Sequence, residues 1–291
     1  MKNPWRWWMD LSYRQVDSRP LALVRILLPT TILLDLLRVA QIGMIPHFYR
    51  PYSVGGINQG QDSMFWVSNY LGDMWAGPVA WGVAVACMLL TATGVAVRPA
   101  ILIGVVAYSQ VGHCYPIGDR GIDRFVRTML LILLLSGVHK KFVPWAKEQV
   151  ATLSAWPSDL IKFAMVMMYM AAGISKLMQQ PRWLSSDGMP VVYRIMTDPM
   201  AAHLDPMFWQ DFYLPLRAMG WITIVLECSA FLILTRFAPY WAVFGFAMHL
   251  GIIINMELGM FGWSMLALYP LLLAPWLIKL MDRYGIGSAT P

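Results

Sequence analysis

Eight apolar runs, each close to the length of a bilayer crossing, leave this chain few ways to fold. They fall at about residues 21–43, 78–97, 99–116, 125–143, 159–178, 216–235, 239–258 and 261–281. A helix needs about 20 mostly apolar residues to cross roughly 30 Å of hydrocarbon. A soluble domain usually carries about 25% charged residues, but only 13% of this chain is charged and 58% is hydrophobic. A water-soluble fold of 291 residues has too little interior to hide that much apolar surface, whereas lipid accepts it. The 14 Trp and 12 Tyr suit the two belts where amphipathic rings settle at a membrane surface. The expected fold is an all-α integral membrane protein, a single bundle of about eight transmembrane helices with amphipathic interfacial segments. Its first partner is the lipid bilayer.

The organisation follows from the same runs. Residues 1–20 mix Trp5, Trp7, Trp8 and Met9 with Arg6, Asp10 and Arg14, the composition of a helix lying along the membrane surface. They contain no apolar core of the signal-peptide kind, so the first span is expected to direct insertion itself. Residues 21–283 form the transmembrane domain and 284–291 a tail. The connections from about Met44 to Gly77 and from Met178 to Pro215 hold aromatic and short apolar stretches and are expected to fold back into the interface. The net charge of +6 sits in short loops, where Lys and Arg act as topology signals and not as a nucleic-acid surface. With both termini in the cytoplasm, more of these cations fall on the inner side, which is the expected orientation in the cell membrane. Cys87 and Cys228 lie inside apolar runs and Cys114 ends one, with no CxxC pair. Neither a disulfide framework nor a metal site is expected.

Charges inside apolar runs are costly and need a partner or a task. Arg25, Asp35, Asp123, Arg127, Lys176, Glu227, His249 and Glu257 all fall in or near such runs. Arg25 and Asp35 are ten residues apart, too distant to pair directly, and are expected to make buried structural contacts. Asp123 and Arg127, four residues apart, have the spacing of a helical pair. Glu227 is expected to point into the bundle and bond to Lys176, Arg127 or His249. A lone His249 on an apolar face reads first as a core histidine. Lys176 ends the run MVMMYMAAGISKL, and Tyr169, Gly173 and Lys176 share one helical face. Two readings stay open for it. It can snorkel to the interface, or it can enter a dry cavity, where loss of solvation favours the neutral amine and lets a lysine act as a base.

These segments resemble the vitamin K-dependent gamma-carboxylase family and its bacterial relatives, the HTTM (horizontally transferred transmembrane) domain proteins. YMAAGISKL, followed by Trp183 and Gly188, looks like the family's Tyr-x-x-Ala-Gly-x-x-Lys-Leu with its later Trp and Gly. MHLGIIINMELGMFGWSMLALYP, with His249 and Pro270, looks like its His, Gly-Met-Phe, Met-Leu-Ala and Pro. DSRPLALVRILL and Leu226–Ala230 around Glu227 are weaker matches, and together the four cover nearly the whole chain in order. The chain has Ser175-Lys176 where the carboxylase has two lysines, and Asp123 where it has a histidine tied to epoxidation. In its short form, without the large lumenal domain of the carboxylase, it looks closer to bacterial relatives that act with partner proteins in maturing secreted peptide toxins.

The resemblance implies a lysine base, at Lys176, that deprotonates a reduced quinone of the vitamin K kind, with oxygen and carbon dioxide as co-reactants and the site facing outward. The candidate residues are Lys176, Asp123 and His249 for catalysis and Arg127, Glu227, Tyr169 and Trp183 for holding substrate. The expected function is a carboxylase-like membrane enzyme or enzyme subunit, a lyase or oxidoreductase, acting on a quinol, a lipid or a secreted peptide. Two alternatives belong to other classes: a non-catalytic membrane partner of a maturation complex, and a small transporter. A transporter is expected to show inverted repeats, and no internal repeat is visible.

Overall fold

The computed structural model describes residues 9–10, 13–57, 64–114, 119–142, 150–179, 183, 191–199 and 202–286. Half of the proposed surface segment at 1–20, residues 287–291 of the tail, and Gly188 lie outside these residues. The described chain is mostly helical. It forms two compact units, Met1–Pro157 with Met281–Pro291, and Ser158–Leu280.

The first unit is built on helices α1 (Arg19–Gln41), α2 (Asp73–Thr93), α3 (Val97–Cys114) and α4 (Gly121–Leu135). A two-stranded antiparallel ribbon joins β1 (Gln15–Asp17) to β2 (Thr152–Ser154), with Val16 opposite Leu153. Helices α2 and α3 turn back on each other at Gly94, whose φ of +88° closes the end of α2 in the left-handed conformation that glycine adopts without strain. They approach closely where Gly104 faces Cys87 and Met88; a Cβ there would stand 2.8 Å from a carbon of each.

On α1 the buried residues Leu21, Leu28 and Ile32 recur at helical spacing, and Arg25 falls on the same stripe. Its side chain is completely buried. Nη1 donates to the carbonyls of Thr91 and Ala92 at 3.1 and 3.0 Å, and Nη2 to those of Lys141 and Phe142 at 2.7 and 3.2 Å. Thr91 and Ala92 belong to the last turn of α2, so the guanidinium sits where the helix has spare carbonyls and a negative dipole end. At the N-terminal end of the same helix, Arg19 grips Asp17 through Nε and Nη2 and bonds Asp282 at 2.7 Å. Burial pushes the Asp17 carboxyl up, but the hydrogen bonds and charge of Arg19 outweigh it and hold the carboxyl below its ordinary range.

The second unit contains α5 (Trp156–Met178), α6 (Val191–Met196), α7 (Tyr213–Cys228), α8 (Ala238–Asn255), α9 (Phe261–Leu266) and α10 (Ala274–Arg283), whose ends reach into the first. Its outer faces are apolar and exposed, as at Phe163 and Met167 on α5, Ile222 and Val225 on α7, and Val243 and Phe244 on α8.

Against the eight expected crossings, five helical stretches among the described residues are long and apolar enough to cross a membrane: Arg19–Gln41, Asp73–Thr93, Trp156–Met178, Pro206–Leu234 and Ala238–Asn255. Phe261–Leu271 with Ala274–Arg283, bent by 71° at the break, makes a sixth if counted as one span. The two remaining runs are helices of a different kind. α3 carries Arg98 at one end and Gln110 and His113 at the other. α4 has 15 residues, about 22 Å at 1.5 Å per residue, short of a bilayer core.

Arg25→Leu is expected to lower stability by about 2–4 kcal/mol, because it removes four hydrogen bonds from buried carbonyls. Arg25→Lys should retain part of that, since an ammonium reaches fewer of the four. Thermal unfolding of the purified protein reads both; an unchanged midpoint in Arg25→Leu contradicts the assignment.

Candidate functional site

Three buried stripes converge in the second unit. On α5 the stripe runs Ile161, Met165, Tyr169 and Gly173 and ends at Lys176. On α7 it runs Leu216, Gly220, Ile224 and Glu227, and on α8 Trp241, Gly245 and His249. Each has the three- or four-residue spacing of one helical face. The polar residues are therefore carried inward by the same periodicity that buries their apolar neighbours.

Glycine brings the faces together. A Cβ at Gly173 would lie 2.8 Å from Cys228 Sγ and 3.0 Å from both Cys228 N and Glu227 Cβ. The close approach of α5 to α7 sets Lys176 against Glu227, and Nζ lies 2.6 Å from each carboxylate oxygen. The side chains are 17% and 9% exposed. The ring of Trp183 covers the ammonium, with Nζ 5.0 Å from its centroid, a cation–π distance. At Gly245 a Cβ would collide with Tyr269 Oη, so the missing side chain makes the space that Tyr269 fills.

Tyr269 completes a second polar group. Tyr169 Oη lies 2.6 Å from His249 Nε2 and 3.2 Å from Tyr269 Oη. Trp241 packs edge-on against Tyr169 at 5.0 Å, and its Nε1 donates to the Leu226 carbonyl and Ser229 Oγ at 3.2 and 3.3 Å. His249 is 1% exposed, and its Nδ1 is buried without a hydrogen-bond partner. Tyr169 and Lys176 are two helical turns apart on α5, about 10 Å along its axis.

Lys176, Glu227 and Trp183 from the first group and Tyr169 and His249 from the second line one cavity of about 820 Å³. Its other walls are largely apolar, including Met168, Met196, Leu226, Ile252 and Phe261, and it opens on the side of the exposed Ile222, Val225 and Phe244. Volume and character match the usual small-molecule site, an apolar chamber with few polar points. The arrangement offers a charged hydrogen-bonding point at Lys176–Glu227 and a neutral one at Tyr169–His249. Among the described residues no group of three or more His, Cys, Asp or Glu is placed to hold a metal ion.

The expected site residues divide between the units. Lys176, Glu227, Tyr169, Trp183 and His249 line this cavity, and Glu227 takes Lys176, one of its three expected partners. Asp123 and Arg127 belong to the first unit and do not pair with each other. Asp123 accepts from Arg120 Nε at 2.9 Å, from the Arg120 backbone N–H at 2.8 Å and from Tyr108 Oη at 2.7 Å. Arg120 also bonds Asp35. Arg127 Nη2 donates to both oxygens of Asp119 at 2.8 and 2.9 Å. Glu257 bonds the half-exposed His203 at 2.9 Å. Sequence reasoning missed Tyr269, Asp119 and Arg120. Arg120 stands three residues before Asp123, an N-terminal capping spacing; Tyr269 has no comparable signal in an apolar run.

Compared with protein-family models, with curated proteins and with solved structures, the chain matches none.

Gly173→Ala is expected to lower stability by about 1–3 kcal/mol, the cost of overpacking a tight contact. The loss should shrink in a Cys228→Ala background, which removes the nearest atom. Thermal unfolding of the four proteins in the cycle tests this; equal losses in the two backgrounds contradict the proposed contact.

Proposed function

We propose that this chain is an integral membrane protein of the carboxylase-like HTTM type, and that its second unit binds an amphipathic ligand with the polar end at Lys176. The observation that carries the reading is the placement of a buried ion pair in a cavity otherwise walled largely by apolar side chains. Exposed apolar faces on membrane-length helices support the bilayer as surroundings. We place the site toward the outer face with both termini in the cytoplasm, on the distribution of Lys and Arg. A ligand entering from lipid or from a secreted peptide then reaches it without crossing the membrane.

A quinol fits the residues present: the cavity has room for a ring with an apolar tail, and an amine stands at one polar point. Such a group would supply an acidic hydroxyl and reducing electrons, with oxygen as the electron acceptor and carbon dioxide as a further co-reactant. The chain's own part is to hold that hydroxyl against Lys176. To act as a base, Lys176 first hands a proton to Glu227; the free amine then takes the hydroxyl proton, and an ammonium is left beside the oxyanion. To act as an anchor, Lys176 keeps its proton and donates a hydrogen bond. Trp183 restricts the ammonium on one side, and Tyr169 with His249 offers a second hydrogen-bonding point deeper along α5. The second reading, a non-catalytic partner of a peptide-maturation complex, is favoured by the closeness of the Lys176–Glu227 pair, which ties α5 to α7 as a structural contact.

Oxidation of a reduced naphthoquinone in air, by membranes containing the protein, separates these readings. Lys176→Ala should abolish oxidation while the protein stays inserted. If Lys176 is the base, Lys176→Arg and Glu227→Gln should both fail, because guanidinium does not release its proton and Gln cannot take one. If it is an anchor, Arg should retain part of the rate and Glu227→Gln most of it. Full activity in Lys176→Ala leaves only the snorkelling lysine, and no oxidation by the unaltered protein favours the non-catalytic partner.

A further inference from the structure

The charges around the cavity cancel. Among its described lining residues, Lys176 and Glu227 are the Lys, Arg, Asp or Glu side chains, and each carboxylate oxygen is 2.6 Å from Nζ. A solitary lysine at the end of an apolar chamber attracts an anionic head group, such as a fatty-acid carboxylate or a phosphate, through charge-assisted hydrogen bonds. Here the protein's own carboxylate already holds that position. An anionic ligand must either place a second negative charge beside Glu227 or displace it, and a displaced carboxylate is left buried without its counter-charge. A neutral hydroxyl or carbonyl meets neither obstacle, since an ammonium has three donors and a neutral head can accept one without disturbing the pair. The second polar point has the same character: Tyr169, Tyr269 and His249 bond to one another without a carboxylate or a guanidinium.

We propose that Glu227 is a specificity-determining residue, which neutralises Lys176 so that the cavity selects uncharged amphipathic ligands over anionic ones of the same chain length. The proposal rests on the reading of this cavity as a ligand site and adds to it the head-group charge and the residue that sets it. It also assigns a distinct consequence to each half of the pair. Loss of Glu227 leaves Lys176 without its counter-charge, which an anionic head can then supply; loss of Lys176 leaves no cation to meet such a head.

Equilibrium binding of radiolabelled oleyl alcohol and oleate to the full-length protein, in a sugar-headed neutral detergent, tests this. The two probes share one chain and differ in head charge. At about pH 9 the carboxyl of oleate is ionised. The measured quantity is the ratio of the two affinities, and its change between proteins cancels the partitioning of each probe into detergent. Glu227→Gln should shift the ratio toward oleate by about ten-fold or more. Lys176→Met should shift it toward the alcohol, and the double variant should return close to the unaltered protein. Should Glu227→Gln fail to fold, the Lys176→Met shift still decides the matter. Saturable binding of both probes with the same ratio in all variants overturns the proposed role of Glu227 and leaves the ligand site standing. No saturable binding of either probe to the unaltered protein, or none lost when Ala172→Phe fills the cavity, overturns the ligand site itself.

Discussion

A charged side chain carried into an apolar helix must be met by a counter-group, and this constraint shapes both units. Lys176 and Glu227 lie on the buried stripes of α5 and α7, where each meets the other in place of water. Each is therefore held by the other. The pair needs the two helices in contact, the contact needs Gly173, and the polar point of the cavity exists only where the pair forms. Arg25 obeys the same rule with no carboxylate: it uses carbonyls at the end of α2 and around Lys141. An ionised group in such surroundings is too costly to be left incidental.

The cavity follows from what surrounds the pair. Glycine at 173 and 245 permits close packing on one side of α5 and α8, while bulky Met, Ile and Phe side chains line the remaining space. Tyr269 reaches Tyr169 through the gap at Gly245, and the Tyr169–His249 contact places a neutral hydrogen-bonding group along the same wall as the ion pair. A ligand meets apolar contact over most of its surface and polar contact at two places, the pattern that gives orientation as well as affinity.

Much of this was legible in the sequence because hydropathy and helical period are local properties. The runs at 21–43, 159–178, 216–235 and 239–258 correspond to α1, α5, α7 and α8, and the 78–97 run to α2 with its start moved to Asp73. The cost of intramembrane charge brought out Lys176 and Glu227 among eight such residues, and the shared face of Tyr169, Gly173 and Lys176 followed from spacing alone. Other features depend on geometry that averages conceal. The run at 261–281 is apolar enough for a span, but it breaks between Leu271 and Ala274, around a turn that contains Pro270 and before Pro275, residues that interrupt helical hydrogen bonding. The run at 125–143 contains a helix that stops at Leu135, two residues before Gly137 with its φ of +77°. Asp123 and Arg127 had the spacing to pair, but Arg120 and Asp119 compete for them from the preceding turn, and no periodicity predicts which contact wins. The role of Tyr269 depends on Gly245, 24 positions earlier, a relation with no local signature.

The central claim is that the second unit carries a ligand site whose charged polar point is the Lys176–Glu227 pair. An experimental structure of the protein in a lipid nanodisc, with no ligand added beyond what it carries from the cell, tests it most directly. The account predicts elongated density within the cavity, ending about 3 Å from Lys176 Nζ, a hydrogen-bonding distance. A cavity closed by its own side chains, or a Lys176–Glu227 pair turned outward to bulk lipid, would contradict it.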